Sequence, residues 1–483
     1  MSRLPPASTA RVALVVDNPY RDLPGVILLA CELARRGHTC LLAPSNLEWR
    51  ELGALVPEVA VLTNIRGPRH ELARRLLDAG CQVAVLESEG GVMPNFDTYT
   101  TMAAPDPALF HRVSRFCTWG PRVAHFLVES GWYDQHQVTV TGSPRFDFYA
   151  PQWREVARRA SADLDNHVAG PLILVNGSFP RANPRFLTPE REVQSWQALG
   201  FSREHIERFQ RIEHEAMLAM AEVANHLARQ FPHATVVYRP HPFERLDTYN
   251  SLLDRRDNLR LLKVGTVEGW ILRASVVVHR NSTTAIEAAM CGVPALLPLW
   301  LPTAETLEAC DAVSVPCADV DVLDARVTEA LAGAWSPDDA LRAATNRVLS
   351  DWFHIIDGRA HERAADALAA LLERRHTLSR RAFRDIHYWG WRPATLSRRS
   401  RGATVIRRAL GVPVSWSVGR WSHVDPAATW AASEKFYDAD AVRRLVTLIR
   451  PVDGIRVRQA SPDTDYGLPY AFGRTVVVES VDA

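Results

Sequence analysis

The sequence predicts an α/β protein of two doubly wound, Rossmann-like domains facing one another across a cleft, with a basic C-terminal extension. Three observations lead there. The length of 483 residues exceeds what one compact core accommodates. Short apolar runs alternate with helical patterns, which is the mark of parallel β-α-β units. That alternation breaks at Asn166–Pro171 and then starts again.

In the first half, strands are expected at Arg11–Val16, Thr39–Ala43, Val59–Leu62, Gln82–Leu86, Arg115–Thr118 and Gln137–Thr141. A helix is expected over Gly25–Arg36, where apolar residues fall on one face, and a helical stretch over Pro151–Asp165. In the second half the strand candidates are Leu172–Val175, Thr235–Tyr238, Leu259–Leu262, Ser275–His279 and Ala295–Leu297. The amphipathic stretch Arg203–Gln230 lies between them, and helices at Val320–Ala334, Pro337–Trp352 and Gly358–Arg374 close the unit. The expected domains are therefore 1–165, 166–374 and a less patterned extension, 375–483.

Composition narrows the class. Hydrophobic residues at 47% and charged ones at 23% are the balance of a folded globular chain. The longest apolar stretch, Met290–Ala304, is interrupted by three prolines, which argues against a spanning helix. The N-terminus has no apolar core of signal-peptide length, and seven cysteines without a CxxC spacing suit a reducing compartment. A cytoplasmic location is expected. Only two lysines occur, Lys263 and Lys435, and neither follows a glycine, which excludes a GxxxxGK phosphate loop. There is no HExxH and no Cys/His cluster, and the Asp-x-Asp pairs at Asp319, Asp438 and Asp463 read as chance. Neither a metal nor a cofactor is expected.

In open parallel sheets ligands bind beyond the carboxyl ends of the strands, so motifs that follow strands carry the functional signal. Five do so. After the first strand, Asp17–Gly25 offers Asn18 and Arg21 as ligand hydrogen-bonders, or else is a Pro-rich turn with helix-capping acids. After Gln82–Leu86, the loop Glu87-Ser88-Glu89-Gly90-Gly91 presents two carboxylates. Group transfer from a sugar needs a carboxylate as base or as nucleophile. After Gln137–Thr141, Arg145 and Asp147 form a rim and are expected to pair with each other.

Tyr238-Arg239-Pro240-His241-Pro242 brackets a histidine between prolines beside a fixed cation, and both side chains suit a phosphate oxygen. Finally, Arg280, Asn281, Ser282, Thr283 and Thr284 open a helix whose N–H groups suit phosphate, with Glu287 one turn in and within reach of a ribose hydroxyl.

The runs ESEGG, FCTWGP, VTVTGSPRFD, YRPHP, VVHRNSTTAIEA with CGVP, and IIDGRAHERAA together resemble bacterial surface-carbohydrate biosynthesis proteins. That family looks like GT-B glycosyltransferases related to capsule and O-antigen Kdo transferases. A more distant resemblance reaches CDP-glycerol glycerophosphotransferases. The resemblance covers about residues 11–374. It implies acceptor binding and a catalytic acid in the N-terminal half, the nucleotide in the C-terminal half, and no divalent metal.

Carried onto this chain, it suggests Glu89 as the catalytic carboxylate, where the Kdo enzymes have aspartate. Arg239 and His241 would hold the donor phosphate, and Ser282, Thr283 and Glu287 the nucleotide. A CMP-ulosonic acid also carries a carboxylate, for which Arg21, Arg145 and Arg280 are the available cations. The acceptor would be a surface polysaccharide or a lipid-linked glycan; the alternative readings are a CDP-glycerol-type polyol-phosphate transferase, a nucleotide-sugar 2-epimerase and a non-catalytic scaffold.

The net charge of +1 hides one basic segment. Arg374–Arg408 holds eleven arginines and one acid, Asp385, interleaved with Phe383, Tyr388, Trp389 and Trp391. Such a segment suits an anionic membrane surface and a peripheral location, or else an arm folding over the N-terminal domain. No nucleic-acid-binding module accompanies it, so nucleic acid is not an expected partner.

Overall fold

The computed structural model describes residues 9–66, 69–89, 91–373, 377–390, 435–449, 454–468, 470 and 473–481. Two sheets organise them. The first contains β1 (Arg11–Val16), β2 (Thr39–Pro44), β3 (Val59–Leu62), β4 (Gln82–Leu86), β5 (Arg115–Thr118) and β6 (Val138–Val140). The second contains β7 (Leu172–Asn176), β8 (Thr235–Arg239), β9 (Leu259–Leu261), β10 (Val276–His279), β11 (Ala295–Pro298) and β12 (Val315–Cys317). Near-continuous Val, Leu, Ile and Ala make these strands, because both faces of a parallel sheet are covered by helices. β1, β3 and β7 are buried almost throughout.

The second sheet runs β12-β11-β10-β7-β8-β9, all parallel, so the order reverses between β7 and β10. In the first, β2-β1-β3-β4-β5-β6 are parallel and the order reverses between β1 and β3. Both are doubly wound, Rossmann-like sheets, and the loops at their carboxyl ends meet, Arg145 after β6 pairing with Glu287 after β10. Each reversal opens a crevice at those ends, where loops from neighbouring strands diverge.

The chain then returns to its beginning. Helix Ala360–Leu372 lies on helix Leu23–Arg35, its start held by Asp147. Helix Arg380–Trp389 lies on helix Glu48–Leu55. Strands β13 (Ile455–Gln459) and β14 (Val476–Ser480) pair antiparallel, and β14 adds antiparallel to β2, extending the first sheet to eight strands. Among the described residues, then, the C-terminal segment is an arm on the first unit. Phe383 is buried, and Trp389 stacks on Trp49 at 6.0 Å with Arg75 over its ring. The membrane-facing expectation for 374–408 falls mostly on 374–376 and 391–408, which lie outside the described residues.

Gly53 lets the two helices meet. A Cβ there would stand 2.3 Å from the His387 nitrogen. Because the obstacle is backbone, Gly53→Ala must push the arm outward, and we expect a loss of about 1–3 kcal/mol. Denaturant unfolding would measure it. An unchanged midpoint would mean the contact is loose.

Candidate functional site

The acidic loop after β4 is built from beneath. Glu87 is buried; one carboxylate oxygen accepts the Glu89 N–H at 3.1 Å, and the other lies 2.8 Å from an Arg66 Nη. Glu87 thus shapes the loop, while Glu89 keeps 44% of its side chain exposed. Arg21 reaches Glu89 at 2.7 Å, and its other nitrogens are taken by Asp22 at 2.8 Å and Asp17 at 3.3 Å. Burial alone would favour the neutral acid, but the Arg21 charge outweighs it and holds Glu89 below the usual carboxylate range. While Arg21 stays, Glu89 is an anion and a weak base.

Asn18 turns inward on its own loop: its side-chain oxygen accepts the Tyr20 N–H, and its N–H donates to Asp22. A cavity of about 30 Å³ sits at the β1/β3 crevice, touched by Asp22, Thr63, Glu87, Ser143 and Arg145. That is room for a water or two but not for a sugar.

On the facing unit, the bend after β8 is held by Glu244. This buried carboxylate accepts the His241 N–H at 2.7 Å, the Phe179 N–H at 3.1 Å and the Tyr249 hydroxyl. Burial pushes it up to about 6. The His241 Nδ1 accepts the Phe243 N–H at 3.2 Å, which leaves the proton on Nε2. Burial, then Arg239, Lys263 and Arg21, push His241 down to about 4. His241 is therefore a neutral imidazole whose Nε2 carries an N–H donor.

The sign of its pH effect follows. A histidine lowered on folding binds its proton more readily when unfolded, so stability is lost as pH falls from about 6.5 towards 4. His241→Asn is expected to flatten part of that loss. Urea midpoints of both proteins at pH 7 and pH 5 check it, and an identical drop in both would refute it.

Arg239 supplies the charge. It donates to the Gly265 carbonyl at 3.2 Å, its Nε has no partner, and among the described residues no carboxylate pairs with it. Both Arg21 and Glu89 act electrostatically on His241, so the motifs after β1, β4 and β8 converge on one place.

Most of the remaining predicted residues are engaged in the protein itself. The expected Arg145–Asp147 pair does not form. They lie in one tight turn, Pro144–Tyr149, whose side chains diverge. Arg145 crosses to Glu287 at 2.6 Å, and Asp147 accepts the Ala360 and His361 N–H groups and pairs with the His361 ring at 2.8 Å. The second Glu287 oxygen accepts the Tyr149 hydroxyl at 2.5 Å, so Glu287 bridges the units.

Arg280 turns behind the β10 loop to the Leu301 carbonyl at 3.0 Å. Asn281, at φ 56°, accepts the Leu307 N–H. That left-handed conformation suits Asn better than most residues. Ser282 and Thr284 share a hydrogen bond at 2.9 Å, and Asn176 donates to Thr284 at 3.0 Å. Thr283 is exposed.

Arg66, Glu244, Asn176 and Tyr149 went unnoticed in the sequence. Only Asn176 carried a signal, at a strand's carboxyl end. Among the described residues, no group of three His, Cys, Asp or Glu gathers as for a metal, and no helix is long and apolar enough to cross a membrane.

No family model and no curated protein matches the chain. Among solved structures, the chain is similar to a UDP-N-acetylglucosamine 2-epimerase at 11% identity and TM-score 0.49, covering 80% of this chain and 99% of that one. The Methanocaldococcus jannaschii UDP-GlcNAc 2-epimerase in complex with UDP-GlcNAc and UDP gives 12%, 0.45, 74% and 99%. The wall teichoic acid polymerase TagF, soaked with CDPG, gives 10%, 0.42, 65% and 73%.

Proposed function

We propose that the protein is a metal-independent glycosyltransferase that moves a sugar from a nucleotide donor to a surface-glycan acceptor. One observation carries the reading. An ionised, half-exposed carboxylate, Glu89, stands in electrostatic reach of His241, which adjoins an arginine with no ion-pair partner among the described residues. In this reading the leaving phosphate takes Arg239 and the His241 Nε2–H. Glu89 either accepts the proton of the attacking hydroxyl or attacks the anomeric carbon itself.

A CMP-ulosonic acid such as CMP-Kdo is the donor that the motif resemblance favours. Its carboxylate would have to draw Arg21 or Arg145 away from its present partners. The occupied state of those arginines favours a second reading, a CDP-glycerol-type polyol-phosphate transferase. Such a donor carries no carboxylate, so its phosphates are its only anionic groups and no further cation is needed.

Melting curves with CMP, CDP, UDP and GDP test the proposal, with His241→Ala alongside. A ligand at a hundred times its dissociation constant adds about 2.7 kcal/mol. A cytidine-selective rise that the variant loses supports the cytidine donors. A rise with UDP or GDP alone removes the ulosonic acid, and no rise with any nucleotide overturns the reading. Release of CMP with a phosphodiester product would establish the second reading.

A further inference from the structure

The motifs leave one conspicuous contact unused. Lys435 comes from the returning C-terminal chain, yet its ammonium lies 2.8 Å from an Asp17 carboxylate oxygen at the end of β1. From there the charges run without a break: Asp17 to Arg21 at 3.3 Å, and Arg21 to Glu89 at 2.7 Å. We propose that Lys435 is a positioning residue which, by occupying Asp17, leaves Arg21 to Glu89 and so keeps Glu89 charged and oriented in the cleft. The proposal rests on the reading of Glu89 as the reacting carboxylate.

The charge count shows why a lysine is needed. Five carboxylates crowd this corner: Asp17, Asp22, Glu48, Glu87 and Glu89. Three arginines face them. Arg66 serves Glu87, Arg69 serves Glu48 at 3.0 Å and lies 3.8 Å from Asp17, and Arg21 is divided among Asp17, Asp22 and Glu89. Without Lys435, Asp17 would rely on Arg21, Arg69 and the Ser45 hydroxyl at 2.8 Å.

Asp17 already opposes ionisation of Glu89, whereas Arg21 and Arg66 favour it, and His241 faces it from the other unit. With Lys435 and Arg21 beside it, Asp17 stays ionised down to about 2 despite its burial. The lysine stem is only partly buried, so its removal deletes a charge and little core.

The test reads Glu89 directly. In full-length protein labelled with 13C at the glutamate carboxyl carbons, the Glu89 resonance is assigned by its loss in Glu89→Gln, then followed against pH. Lys435→Met is expected to raise the Glu89 midpoint by about half a pH unit or more, because Asp17 then competes for Arg21. Lys435→Arg should restore it, as should Asp17→Asn added to Lys435→Met, since the double variant deletes the competing charge as well.

A Glu89 midpoint unmoved in Lys435→Met overturns the proposal, as does a shift that Asp17→Asn fails to reverse. A merely structural lysine would lower the melting temperature and leave the midpoint in place. Failure of the underlying reading looks different. Glu89→Gln would then turn over normally, whatever Lys435 does to the titration.

Discussion

Glu89→Gln lowers turnover by about 10²–10⁴-fold, the range expected when a general base or nucleophile is replaced by an isosteric amide. The fold should barely notice. The Glu89 side chain is nearly half exposed, Arg21 keeps Asp17 and Asp22, and a partner lost at such a site costs about 0–1 kcal/mol. Nucleotide binding should also survive, because the proposed reading gives the donor phosphate to Arg239 and His241 rather than to Glu89. Turnover and nucleotide-dependent melting, measured on one preparation, separate these effects. Loss of turnover with melting shifts intact places Glu89 in the chemistry. Unchanged turnover removes it from both its roles, and a mass increase of one sugar on a peptide containing Glu89 would identify the nucleophile.

The second large effect is on stability. Glu287→Ala strands two groups at once. Arg145 loses its only ion-pair partner among the described residues, and the buried Tyr149 hydroxyl loses its acceptor. Removing one member of a buried ion pair typically costs about 3–5 kcal/mol, since the remaining charge stays out of water without compensation. Glu287→Gln should cost less, as the amide oxygen can still accept from one of them. Because the bridge joins the two units, the loss should appear as earlier, less cooperative melting. If both variants melt like the parent, the bridge adds nothing to the fold. If Glu287→Gln instead loses nucleotide binding with its fold intact, the carboxylate serves a ribose as the motif suggested.

How legible all this was depended on whether a residue's partner is near in sequence. Strands such as Arg11–Val16 and Gln82–Leu86 were readable to the residue, because burial on both faces demands unbroken apolar runs. Val315–Cys317 escaped because Pro316 interrupts a three-residue edge strand. Ile455–Gln459 escaped because arginines alternate along a strand with one wet face, and its neighbour Val476–Ser480 pairs with a strand from the chain's beginning.

The site followed the same rule. The fold put Glu89, Arg21, Arg239 and His241 at strand ends, so their convergence was predictable. The pairings were not: Arg145 finds Glu287 142 positions away, and Asp147 finds His361 214 positions away. Glu244, two residues beyond the Pro-His-Pro bracket, belongs to no motif of the sequence. Lys435 sat where no pattern pointed to anything.

The pairing of β14 with β2 also sets a timetable for synthesis. Leu42 and Val476 are partners, 434 positions apart in the chain. At about 5–20 residues per second, roughly 20–90 s pass between the translation of the two. Through that interval the β2 edge displays unpaired amides and carbonyls, a template for any extended chain nearby. The first unit is translated early but sealed late, and a nascent chain that stalls before residue 476 leaves the ribosome with that edge still open.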